Sequence, residues 1–208
     1  MTLLDRKPLD QIDKADIQQL IDDEVQESKT IEYKSEIIGN KDEQKKELLA
    51  YVSSFANASG GHLIIGICAE KGIPKQISGL QIADIDREIS RLENMTRDGI
   101  EPRISGLNIH SVRIDSLFII IIFIPQSFAL PHIVKYKNHN KFYSRNSNGK
   151  CLLDVGEIRN LFNVSETAIE RVRFFRTERL SMIVSGQTPI QLEHYPKLVL
   201  HVIPPHHI

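Results

Sequence analysis

A short alternating segment, TIEYK at residues 30–34, carries the charged side chains with the clearest chemical potential. A strand here would place the Glu32 carboxylate and the Lys34 ammonium group on one face. Carboxylate oxygens can hold Mg²⁺ or Mn²⁺ against a phosphodiester while a lysine stabilises the charge that develops on the phosphate. Alternatively, Glu32 and Lys34 form an exposed ion pair, and Glu27 merely closes the preceding helix.

A second candidate site is a basic stretch, because no acidic residue occurs between Asp115 and Asp154. The net charge of the chain is −1, so any affinity for polyanions must come from such uneven distribution. Segments 133–137 and 141–145 predict a hairpin, and one electropositive, phosphate-contacting face is expected. A solvated lysine face is the alternative. The residues assigned to nucleic-acid binding are Lys135, Lys137, Lys141, Tyr143, whose ring could stack on bases, and Arg145.

Hydrophobic periodicity predicts the helices and strands that must position these residues. The runs at 62–68 and 117–124 are apolar on both faces, which predicts central strands covered on both sides. Asp13 and Asp84 are candidate helix caps. Helices are predicted over 14–26, 42–59, 85–99, 155–162 and 166–183, and strands over 30–34, 62–68, 104–114, 117–124, 133–137, 141–145 and 197–203.

Composition places the chain among ordinary globular proteins. Hydrophobic residues make up 41% and charged residues 25% of its 208 residues, which argues against disorder, collagen-like sequence and disulfide scaffolds. Cys68 and Cys151 each lie beside aliphatic residues, so we expect reduced, buried thiols. The N-terminus has no apolar signal region, and no run is long enough to span a membrane. A cytoplasmic protein is therefore expected.

Two strings, ESKTIEYK at 27–34 and YVSSFANASGGHLIIGI at 51–67, resemble the Schlafen AlbA-like domain family. FYSRNSNGK, before the helix DVGEIRNLF, resembles the closing segment of that family, so the resemblance covers roughly residues 20–162. It implies a mixed α/β fold and binding of DNA or RNA. Because animal Schlafens act as metal-dependent endoribonucleases on transfer and ribosomal RNA, the resemblance further implies such an activity. The chain lacks a GxxxxGK[ST] loop, which argues against ATP hydrolysis.

The resemblance also implies a catalytic set. The first two carboxylates of the nuclease members match Glu27 and Glu32, which would hold Mg²⁺ or Mn²⁺, and their lysine matches Lys34. Ala69 stands where those nucleases have an aspartate, so Glu70 would have to replace it. A one-residue shift along a strand points a side chain to the opposite face. We therefore expect weak nuclease activity or none.

Two further groups of residues have both functional and structural interpretations. Asn57, Gly60 and Gly61 could approach a phosphate through backbone amides, but a glycine pair after a helix is also an ordinary turn into a strand. His201, His206 and His207 could suggest a metal site, although no paired cysteines accompany them. We favour the turn for the first group and no metal for the second.

The sequence thus predicts an α/β, or mixed α+β, domain over residues 15–162, with a central mixed sheet flanked by helices. A helical extension, which could begin a truncated second unit, is predicted over 163–208. The predicted function is binding of RNA or DNA, with metal-dependent cleavage of structured RNA implied by the resemblance. The alternatives are a non-catalytic regulatory or nucleotide-sensing module of a larger protein, and a structural homo-oligomerisation domain.

Overall fold

The computed structural model describes residue 4 and residues 7–36 and 41–187, apart from the side chains of 168, 169 and 171. The predicted strand 197–203 and the histidines His201, His206 and His207 lie outside these residues. The described elements follow the order α1 (Lys14–Asp22), β1 (Ile31–Lys34), α2 (Asp42–Ala56), β2 (Gly61–Ile65), β3 (Ile67–Glu70), β4 (Ile73–Ile77), α3 (Ile85–Gly99), β5 (Ile100–Glu101), β6 (Asn108–Ile114), β7 (Leu117–Ile124), β8 (Ile133–Tyr136), β9 (His139–Asn146), β10 (Gly149–Leu152) and α4 (Val155–Val184).

The strands form two four-stranded sheets and one small hairpin. The first sheet has the order β1-β2-β7-β6, with β1 parallel to β2 and the other pairs antiparallel. The second sheet has the order β10-β9-β8-β5 and is antiparallel throughout. Strands β3 and β4 pair only with each other among the described strands. The predicted mixed α+β fold with a central mixed sheet is confirmed.

The first sheet is buried on both faces, as the apolar runs predicted. Leu63 and Ile65 of β2 pack with α2 on one face, and Ile64 packs with Ile17 and Leu20 of α1 on the other. Helix α1 begins at the predicted cap, because the Asp13 carboxylate accepts hydrogen bonds from the amides of its first turn. The protein therefore covers both sides of β2 and β7 with helices or sheet.

The predicted strand 62–68 is divided in two at Gly66. This glycine has a φ of +109°, and a Cβ atom added there would lie 2.6 Å from the side chain of Ile119. Its amide donates to the Lys34 carbonyl, while the chain beyond it leaves the sheet to form the β3–β4 hairpin. The apolar run hid this change of direction because Ile67 is also buried.

The two helices predicted over 155–162 and 166–183 are one continuous helix, α4. Asp154 and Glu157 form a reciprocal capping box at its start, and no proline or glycine interrupts residues 157–184. None of the helices within the described ranges is both long and apolar enough to cross a membrane. Cys68 and Cys151 are free, but they are half-buried rather than fully buried as predicted.

The end of α2 is fixed to the second sheet by the side chain of Asn57. Its amide nitrogen donates to the carbonyls of His132 and Tyr143, each at 2.8 Å, and its oxygen accepts from the His132 amide at 2.7 Å. Asn57 is 3% exposed, so these bonds are shielded from water. They hold β8 and β9 against the helix.

His132 is a buried, neutral histidine beside this link. Its Nδ1 lies 2.6 Å from the Pro102 carbonyl oxygen, which can only accept, so Nδ1 carries the proton and donates. Its buried Nε2 has no hydrogen-bond partner within the described residues. Burial lowers the pKa of His132 below its ordinary value, and the bond to Pro102 opposes this effect only in part.

We expect His132 to make the protein acid-sensitive. Because its folded pKa is lowered, the unfolded chain takes up a proton first, and stability is lost as the pH falls below the unfolded pKa of about 6.5. His132→Gln should therefore flatten the fall in unfolding free energy between about pH 6.5 and 5. Urea unfolding at several pH values measures this slope. The half-exposed His110→Gln is the control, and an equal slope in wild type and His132→Gln would contradict the assignment.

Candidate functional site

Glu32 lies between the two sheets and is held by two cations. Its Oε1 accepts a hydrogen bond from Lys34 Nζ at 2.7 Å, and its Oε2 accepts one from the Arg145 guanidinium at 2.5 Å. The Glu32 side chain is 8% exposed and that of Arg145 is fully buried. The contact therefore ties β1 of the first sheet to β9 of the second through a buried ion pair.

The Arg145 guanidinium is packed between an aromatic ring and the backbone. Its carbon lies 3.9 Å from the centroid of the Phe55 ring, and one nitrogen also donates to the Ser28 carbonyl at 3.3 Å. The other two guanidinium nitrogens have no partner within the described residues. Glu32 is therefore the carboxylate that compensates this buried charge.

The two cations determine the charge state of Glu32. Burial alone would raise its pKa, but the hydrogen bonds from Arg145 and Lys34 outweigh burial and lower the pKa below its usual range. Burial likewise opposes the charged form of Lys34, yet its bonds with Glu32 and Tyr51 raise the Lys34 pKa. Both groups are therefore charged at neutral pH.

Tyr51 of α2 brings a second lysine to this place. The Lys34 Nζ lies 4.6 Å from the centroid of its ring, and Lys150 Nζ of β10 lies 3.6 Å from it. Both lysine side chains are about a quarter exposed. Glu47, one helical turn before Tyr51, is 3.3 Å from Lys150. Sequence reasoning missed this cluster because Lys34 and Lys150 are brought together only by the tertiary fold.

Glu27 and Glu32 line one cavity of about 200 Å³. Glu27 Oε1 accepts the Tyr33 amide at 3.0 Å, so this carboxylate also supports the backbone. Glu70, the third predicted carboxylate, is exposed at the end of β3 and is not in the cavity wall. The walls are formed by Gln26, Glu27, Ser28, Glu32, Lys71, Gly72, Arg145, Ser147, Asn148 and Gly149.

These side chains do not fit a divalent metal ion. Both oxygens of Glu32 are engaged by cations, and one oxygen of Glu27 is engaged by a backbone amide. Within the described part of the chain, no three histidine, cysteine, aspartate or glutamate side chains are grouped as metal ligands. Mg²⁺ and Mn²⁺ prefer several available oxygens.

The basic hairpin, residues 133–145, carries less unpaired positive charge than its sequence suggests. Lys135 forms an ion pair with Glu101 of β5, and Lys137 forms one with Asp42 of α2. Lys141 is exposed, whereas Tyr143 is half-buried with its hydroxyl 2.9 Å from a ring nitrogen of His139.

The prediction that Arg145 shares the exposed face of this hairpin is wrong. Its side chain points into the protein, where it pairs with Glu32 of the first sheet. Carboxylates that are distant in sequence thus decide which basic residues of the hairpin remain available.

The segment containing Asn57, Gly60 and Gly61 has the geometry of a packed turn. Gly60 and Gly61 have φ values of +69° and +144°. A Cβ atom at Gly61 would lie 2.2 Å from the Thr30 carbonyl oxygen, and one at Gly60 would lie 2.5 Å from the Gln126 amide. These glycines therefore let other backbone segments approach closely, which agrees with the favoured structural interpretation.

Comparisons with known proteins place this geometry in context. Residues 27–154 match the sequence profile of the family described as Schlafen, AlbA_2. No curated protein matches the chain. One similar solved structure is the DIP2311 protein from Corynebacterium diphtheriae, with 17% identity, a TM-score of 0.43 and coverage of 61% of this chain and 22% of that one. Another is the N-terminal domain of a RecG-related protein from Nitrosomonas europaea, with 20% identity, a TM-score of 0.45 and coverage of 66% and 94%.

We expect Glu32→Gln to destabilise the protein, because it leaves the Arg145 charge buried without its carboxylate. Breaking one side of a buried pair costs about 3–5 kcal/mol of unfolding free energy. Chemical denaturation measures this loss. Adding Arg145→Met to Glu32→Gln should recover much of it, since no buried charge then remains.

The matched control for this experiment is Glu47→Gln, which removes the partly exposed partner of Lys150. Its effect should stay within about 1 kcal/mol. Equal losses for Glu32→Gln and Glu47→Gln would contradict the buried ion pair.

Proposed function

The chain belongs to the Schlafen, AlbA_2 family, and we propose that it binds nucleic-acid phosphates at a cationic site formed by Lys34 and Lys150. The observation that carries this proposal is the convergence of both ammonium groups on the Tyr51 ring. We assign the binding unit to residues 15–162. We propose that this unit acts in the cytoplasm, where its two cysteines would stay reduced.

The charge balance of the site favours an anion. Glu32 carries one negative charge against the two positive charges of Lys34 and Arg145. The pair between Lys150 and Glu47 is long and partly exposed, so it neutralises Lys150 weakly. Excess positive charge therefore remains at the surface beside Tyr51. A phosphodiester would take the place of water and counterions there.

The surrounding residues decide how a nucleic acid would lie. Tyr51 is 7% exposed, so its ring supports the two lysines rather than stacking on a base. The exposed Lys141 offers a further phosphate contact on β9. Lys135 and Lys137 contribute less because each has a carboxylate of its own, Glu101 or Asp42, whereas Lys34 shares Glu32 with Arg145. Contacts of this kind recognise the backbone, so they bind RNA and DNA alike.

The same arrangement favours binding without cleavage. The carboxylates that the nuclease members of the family would use for metal are engaged here by Arg145, Lys34 and the Tyr33 amide. The nuclease activity implied by family resemblance therefore has no support from the donor set. Binding alone requires only the lysines.

We expect Lys150→Gln to weaken binding of fluorescently labelled single-stranded RNA and DNA. Loss of one phosphate contact should flatten the slope of log K against log salt by about one unit. Fluorescence anisotropy at several salt concentrations gives both quantities. Lys14→Gln, which removes an exposed lysine paired with Asp115 on another side of the protein, is the matched control. The proposal fails if Lys150→Gln and Lys14→Gln bind alike.

Cleavage is tested separately with transfer RNA in Mn²⁺ and in a chelator. We expect the RNA to stay intact in both, while binding persists in the chelator, because the two carboxylates do not offer the several available oxygens that a divalent ion needs. Gel electrophoresis after prolonged incubation provides the measurement. Mn²⁺-dependent cleavage that disappears in Glu27→Gln would show instead that the carboxylates rearrange around a metal.

A further inference from the structure

Helix α4 carries a face that nothing in the described part of the chain covers. At 100° per residue, six of its residues fall within an arc of about 40°. They are exposed, and in chain order they are Val155, Phe162, Glu166, Arg173, Leu180 and Val184. We call this set the α4 face.

The four apolar side chains of the α4 face are about half exposed to solvent or more. Val155 is 74% exposed, Phe162 50%, Leu180 45% and Val184 88%. Ser165 donates to the Phe128 carbonyl at 3.0 Å and anchors the N-terminal half of the helix on the domain. A 30-residue helix gains most of its stability from packing rather than from propensity, so this face calls for a partner.

The charged members of the α4 face define the orientation of that partner. Glu166 and Arg173 are exposed, and neither has an ion-pair partner among the described residues. They stand symmetrically about the middle of the helix, with two apolar residues beyond each. Along the helix, the order of these residues is apolar, apolar, acid, base, apolar, apolar. In the opposite direction it is apolar, apolar, base, acid, apolar, apolar, so two antiparallel copies would place each acid opposite a base.

We propose that the α4 face pairs with the same face of a second copy of this chain, in antiparallel orientation. A two-fold axis between Glu166 and Arg173 sets Glu166 of each copy against Arg173 of the other. Phe162 then lies within one helical turn of Leu180 of the second copy and packs against it. Val155 packs against Val184 of the second copy. A surface that contacts itself about a two-fold axis is the commonest form of homodimer.

The charge distribution along α4 supports the antiparallel orientation. Residues 155–170 contain three glutamates and one arginine, whereas residues 172–184 contain three arginines and one glutamate. An antiparallel pair places the acidic half beside the basic half. A parallel pair would place like charges together, which opposes association.

The first test is sedimentation of the full chain and its charge variants at concentrations up to about 0.1 mM. We expect the wild type to form a dimer. Glu166→Arg and Arg173→Glu should each weaken it at least about tenfold, and the double variant should restore it, because the swapped charges again face each other. Glu178→Arg, on another face of α4, should change nothing.

The second test measures orientation by disulfide formation. Val155 and Val184 are about 44 Å apart along one helix, so only antiparallel pairing brings the two positions together between copies. The double variant Val155→Cys/Val184→Cys should form a covalent dimer under mild oxidation. Val155→Cys alone should form no more covalent dimer than the wild type, which has its own Cys68 and Cys151.

Three results would overturn the proposal. They are a wild-type chain that stays monomeric throughout, a dimer that neither single charge reversal weakens, and a double swap that fails to restore pairing. Circular dichroism of each variant shows that α4 is still formed, so that loss of pairing is separated from loss of the helix. The nucleic-acid site lies elsewhere, so failure here leaves the phosphate-binding proposal standing.

Discussion

The buried contact between Glu32 and Arg145 is the constraint on which the arrangement of this protein depends. Burying a guanidinium without a counter-ion is strongly destabilising. Strand β9 must therefore run where Arg145 reaches Glu32 of β1. That requirement brings the second sheet against the first and places Phe55 of α2 over the guanidinium. Lys34 then completes the charge environment from the neighbouring position on the same strand face. The surface beside Tyr51 follows from these placements.

The use of acidic residues as internal counter-ions changes the chemistry of the cavity. Two free carboxylates would attract a divalent cation. A carboxylate that is held by two cations, as Glu32 is, instead forms a group with a net positive charge. Glu27 is committed in a different way, through the Tyr33 amide. The same residue types at the same spacing can therefore support opposite functions, and the difference lies in what contacts each oxygen.

Much of the fold could be predicted from local patterns, because those patterns report burial. The two-sided apolar runs identified β2 and β7, and Asp13 identified the start of α1. The site was harder, since the Glu32–Arg145 and Glu47–Lys150 contacts join residues more than a hundred positions apart. Alternation along β9 could not show that Arg145 points inward, because that depends on a carboxylate in another sheet. The acid-free stretch misled for a similar reason, as Asp42 and Glu101 approach it only after folding.

The Glu32–Arg145 contact also has a consequence for how faithfully the chain assembles. A slip of β9 by two residues would keep its inward and outward faces but bring Tyr143 to the place of Arg145. Glu32 would then be enclosed without its guanidinium, which makes the slipped arrangement much less stable than the native one. A single polar contact can in this way select one register among several that the apolar side chains would tolerate. The ion pair thus disfavours misaligned strands and makes the native alignment of the two sheets the most stable one.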